Sequence, residues 1–125
     1  MKWVLAALVL CAGCQDIELS AMHAPPPGAE LSVDRDEQRI ELSVGTAAAI
    51  ECIYGGYDPC TDVEIEGGDG TVTVYPLHIA GLDQYSWNRD QPRAGFVVVG
   101  SELGVTEIEV RSSEGEKRYQ IEVVE

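Results

Sequence analysis

Imidazoles and cations are scarce in this chain. It holds two histidines, His23 and His78, and 8 Lys and Arg against 22 Asp and Glu, a formal net charge of -14. Each shortage removes a class of chemistry. A structural zinc site takes four Cys or His ligands, more than the chain can supply around its later cysteines. Nucleophilic catalysis pairs a Ser or Cys with a base and an orienting acid, yet His78 is the only imidazole beyond the first quarter of the chain and no Gly-x-Ser-x-Gly occurs. An excess of carboxylates repels phosphate backbones, so nucleic acid is excluded as a partner. Long apolar runs are missing too. The stretch from Trp3 to Leu10 falls far short of the ~20 apolar residues a membrane-crossing helix needs.

What is there begins with that stretch. Lys2 precedes it, and Ala12, Gly13 and Cys14 follow. The pattern resembles a bacterial lipoprotein signal peptide, in which a cysteine after small residues is lipidated and becomes the first residue of the mature chain. The resemblance implies residues 1–13 as a cleaved signal, Cys14 as the acylated residue and a cell-envelope location. Gln15 leans toward the outer membrane, because Asp at that position favours inner-membrane retention. The membrane is then a partner through the lipid, as palmitate or a similar acyl chain, and not through surface charge.

Residues 14–28 show no helical period and contain Pro25, Pro26 and Pro27. They are expected to form an extended tether rising ~3.1 Å per residue. From Ala29 onward apolar and polar residues alternate with a period of two, the mark of strands with one buried face. Leu31 and Val33 make a first strand, and Ile40, Leu42 and Val44 a second one ended by Gly45. Ala48, Ile50, Cys52 and Tyr54 share one face of a third. Val63 and Ile65 then point inward while Glu64 and Glu66 point outward. Gly67-Gly68-Asp69-Gly70 reads as a hairpin turn leading to Val72 and Val74, with Pro76 stopping the return strand. Phe96 to Val99 suits a central strand. Thr106, Ile108 and Val110, then Tyr119, Ile121 and Val123, form a closing hairpin. Eight or so short strands at this spacing argue for an all-β fold, a single β-sandwich over residues 29–125.

The runs Ile40 to Gly45, Gly95 to Val99, Gly104 to Val110 and Tyr119 to Val123 resemble the bacterial Ig-like (group 2) domain. That resemblance implies an extracytoplasmic Ig-like module that binds a protein or glycan ligand or serves a structural role, as a monomer, with no cofactor and no catalytic residue to carry over. A second reading is a small lipoprotein inhibitor of a secreted hydrolase, inserting the Tyr85 to Asp90 loop into a target cleft.

Three groups of residues are candidates for function. Cys52 and Cys60 flank a turn, Gly55 to Pro59, and can form a disulfide in an oxidising compartment. Leu77 to Pro92 is long for a connection and holds Tyr85, Trp87 and Arg89. Aromatic and Arg side chains carry interface energy, which makes this the candidate binding loop, while Trp87 can equally cap the open end of the core. Asp58 and Asp62 lie in turns and are the calcium candidates, although turns favour Asp for backbone reasons and no Asp-x-Asp-x-Asp-Gly loop is present.

Overall fold

The two-residue period resolves into ten strands in a computed structural model that describes residues 16–56, 58–79 and 93–125. In chain order they are β1 (Ile17–Ala21), β2 (Leu31–Asp34), β3 (Arg39–Ser43), β4 (Ala47–Tyr54), β5 (Asp58–Pro59), β6 (Glu64–Gly67), β7 (Val72–Ile79), β8 (Arg93–Gly100), β9 (Gly104–Ser112) and β10 (Gly115–Val124). One sheet runs β1-β4-β8-β7 with β5 paired to β4, and the other runs β2-β3-β10-β9-β6. Among the described strand-to-strand ladders only β3 and β10 are parallel. The fold is the expected all-β sandwich.

The inward positions meet between the sheets. Ile17, Leu19, Ile50, Phe96 and Val98 from the first pack against Ile40, Leu42, Ile108, Tyr119 and Ile121 from the second, all buried. Tyr119 is the largest of the fully buried side chains. Its hydroxyl approaches the Leu19 backbone without completing a hydrogen bond, and burial pushes the phenol up from its ordinary value. A buried hydroxyl left without a partner carries a desolvation cost, so Tyr119→Phe is expected to leave stability unchanged or raise it by up to about 1 kcal/mol in chemical denaturation.

Four expectations need correction. The tether begins as a strand: Ile17 to Ala21 pair with Tyr54 to Ile50, and the Ile17 and Leu19 side chains are 1% and 0% exposed. A short alternation of Ile, Glu, Leu and Ser is enough to line one face of an edge strand once β4 supplies the partner. The prolines then sit in the crossing from β1 in one sheet to β2 in the other, closed by the Ala29 amide donating to the Pro26 carbonyl at 3.0 Å.

Gly67 to Gly70 is also a crossing and not a hairpin, because β6 pairs with β9 in one sheet and β7 with β8 in the other. Left-handed backbone at four successive residues turns the chain sharply. Gly67 is further constrained, since a Cβ there would meet the Glu107 carbonyl oxygen at 2.4 Å. Pro76 does not stop β7, which continues to Ile79. The strand lies at the sheet edge, where a residue without an N–H is tolerated. Val44 falls just past β3 and is 41% exposed instead of pointing inward.

Candidate functional site

The features that bear on function gather at one end of the sandwich, and pairing register defines that end. Ile17 lies opposite Tyr54, and Ile79 opposite Arg93, so the start of β1, the end of β4, the end of β7 and the start of β8 lie together. The chain leaves the described residues at Ile79 and returns at Arg93. Tyr85, Trp87 and Arg89 lie outside the described residues, as does Cys14.

The disulfide is formed. Cys52 near the end of β4 is bonded to Cys60 just after β5, with their Cα atoms 5.4 Å apart. Cys52 and Cys60 are 0% and 3% exposed, and the Cys60 amide donates to the Cys52 carbonyl at 3.1 Å. The bond closes a loop with a sequence separation of 8. On the chain-entropy account a loop of that size contributes about 2.5 kcal/mol. Replacing both cysteines by alanine should lower the unfolding free energy by that amount in a urea titration. A double variant with an unchanged midpoint would show that the bridge is not a stabilising device.

The segment after Cys60 crosses to the second sheet and is tied down by polar contacts. Glu114, in the turn between β9 and β10, accepts from the Thr61 amide at 2.9 Å and the Thr61 hydroxyl at 2.7 Å. The Ser113 amide donates to the Thr61 carbonyl at 2.9 Å, and the Ser113 hydroxyl donates to Asp62 at 3.0 Å. Nothing in the sequence pattern signals this pairing, which joins residues more than fifty positions apart.

The Thr61 hydroxyl, then its amide, hold the Glu114 carboxyl below its ordinary value. A depressed carboxylate stabilises the fold above the unfolded value of 4.5 and loses that contribution as pH falls through the lower folded value. Glu114→Gln should therefore flatten part of the stability loss as pH falls below 4.5, and only a small part because water competes at this site. Parallel pH profiles for the two proteins would contradict this.

Beside the disulfide lies a hollow of ≈ 600 Å³, lined by Pro59 to Val63 on one side and by Pro76 to His78 and Arg93 to Gly95 on the other. By alternation Pro76 and His78 continue the inward face of β7, where Val72 is 5% exposed and Val74 half-buried, yet both are exposed. The interior is thus open here among the described residues. The lining brings His78, Asp62 and Cys60 to one hollow. Cys60 is oxidised and Asp62 is engaged by Ser113.

The calcium candidates do not converge. Asp58 lies exposed on β5, and Asp62 has φ 55 in the tight turn after Cys60. Among the described residues no group of three or more His, Cys, Asp or Glu side chains gathers to hold a metal ion. Glu64 and Glu66 point to solvent as expected, with Glu66 3.3 Å from Arg111. Arg111 also reaches Glu109 at 2.6 Å and Glu116 at 3.6 Å. Its hydrogen bond, more than any other contact, holds the Glu109 carboxyl down.

These observations define an all-β protein of two packed sheets, stapled by the Cys52–Cys60 disulfide. No family model matches the chain, and no curated protein matches it. Among solved structures it is similar to the crystal structure of domains 4 and 5 of the S-layer protein SbsC, at 18% identity and a TM-score of 0.46. The match covers 82% of this chain and 54% of that one, so this chain spans about half of its length.

Proposed function

We propose that this chain is a lipid-anchored protein of the bacterial cell envelope whose Ig-like sandwich acts as a binding or structural module without catalysis. The observation that carries the reading is the Cys52–Cys60 bridge, buried within the sandwich and closed. Such bonds persist in oxidising spaces outside the cytoplasm, in keeping with the export signal ahead of Cys14. The signal supports acylation at Cys14, and Gln15 supports delivery to the outer membrane. The runs around Ile40, Phe96, Ile108 and Ile121 support an Ig-like relationship. The apolar hollow and the exposed side chains of the sandwich supply surface for a ligand.

Cell fractionation of wild type and Cys14→Ser tests the anchor. Wild type should sediment with the envelope membranes, and the variant should move to the soluble fraction or stay as unprocessed precursor. Equal sedimentation of mature protein in both would refute lipid anchoring at this residue.

A further inference from the structure

Granting the acyl anchor on Cys14 argued above, we infer that the bilayer holds the sandwich end-on, with the start of β1 and the disulfide at the headgroups and the opposite end turned away. Only Gln15 and Asp16 separate Cys14 from Ile17, three chain steps that span at most about 11 Å. β1 cannot lengthen this link by peeling away, because Ile17 and Leu19 are sealed in the core and paired with Tyr54 and Cys52. Register brings Arg93 and Ile79 to this end. Contacts with the other sheet, Lys117 to Asp16 at 3.8 Å and Glu114 to Thr61, bring the β9–β10 turn there as well. Gly45, Gly100 and Val124 cluster at the other end, where the Val44 amide donates to Val124 at 2.7 Å and the Gly45 amide to Gly100 at 2.8 Å. The eight residues of β4 put that end about 25 Å farther out.

Charge does not choose between the two ends. The Lys and Arg of the described residues are Arg35, Arg39, Arg93, Arg111, Lys117 and Arg118. Register puts Arg93, Arg111, Lys117 and Arg118 toward Cys14, and Arg39 near the middle, opposite Gln120. The near end also carries Asp16, Glu18, Asp58, Asp62, Glu114 and Glu116, and the far end carries Glu30, Asp69, Glu102 and Glu125. Both ends are therefore acidic, and the short link alone imposes the orientation. The exposed side chains Val44, Leu103 and Val105, at 41%, 55% and 54%, then face outward to any partner. The segment holding Tyr85, Trp87 and Arg89 leaves and rejoins the sandwich on the bilayer side.

The test uses the full chain, expressed and processed, then reconstituted in vesicles of phosphatidylethanolamine and phosphatidylglycerol containing a nitroxide-headgroup lipid. Fluorophores are attached through Asp36→Cys, in the turn after β2, or Glu102→Cys, after β8. The label at position 36 should be quenched several-fold more strongly than the label at position 102. Equal or reversed quenching in a sample whose mass shows acylated Cys14 overturns the orientation alone. A mass showing unmodified Cys14 overturns the anchor and the orientation with it.

Discussion

Leu19→Ala should lower the unfolding free energy by about 3 kcal/mol, the usual range for removing a fully buried leucine side chain from a packed core. Leu19 is 0% exposed and lies opposite Cys52, facing the interior beside Tyr119. The loss combines the transfer of the missing methylenes with a cavity that the neighbouring Tyr119 ring cannot collapse to fill. A tether residue would behave otherwise, since replacing a solvated side chain changes stability by a few tenths of a kcal/mol. A chain beginning at Met22 should be worse still. It lacks Ile17 and Leu19 and leaves the β4 edge unpaired, so it should lose the cooperative unfolding transition seen by circular dichroism. A Leu19→Ala midpoint equal to wild type would remove β1 from the fold.

Gly95→Ala is expected to cost about 3 kcal/mol or more, for a different reason. A Cβ at this position would stand 2.0 Å from the Ile50 carbonyl oxygen and 2.8 Å from the Glu51 Cα. Both are backbone atoms, so no rotamer change relieves the clash and β4 must separate from β8. Those two strands form the centre of the first sheet and carry Ile50, Phe96 and Val98 into the core. The substitution also sits on the hollow beside the disulfide, whose lining includes Gly95. Urea denaturation of Gly95→Ala should show the full loss with the m-value preserved. A loss below about 1 kcal/mol would mean that the two strands are not so closely paired there.

Much of this architecture was legible from side-chain alternation. Inward residues of β3, β4, β9 and β10 stood out because each run is long enough for the period to be unambiguous, and Tyr119, Ile121 and Val123 are indeed buried. Fold class and the disulfide followed from the same kind of local reading. Topology did not. The Gly67 to Gly70 stretch has the chemistry of a hairpin turn, and nothing local distinguishes a return within one sheet from a crossing to the other. The choice is made by β9, which pairs with β6 across forty residues of chain. β1 was hidden because its five residues lie between a stretch that reads as a signal and three prolines, and both suggest unstructured chain.

The candidate site was legible only in part. Cys52 and Cys60 announced themselves by spacing, whereas the hollow beside them and the Thr61–Glu114 contact are products of tertiary structure. A carboxylate in one turn and a threonine in a distant segment carry no mutual signal until the sheets pack. Asp58 and Asp62 illustrate the converse: residue types suited to a cation occur in turns for conformational reasons, and φ 55 at Asp62 is such a reason.

The most direct trial of the whole account is the intact mass of the protein extracted from envelope membranes. On the proposed reading its first residue is an acylated Cys14, and it should gain the mass of two hydrogens on reduction as Cys52 and Cys60 part. A full-length chain with a free amino terminus and no change on reduction would contradict both the anchor and the staple.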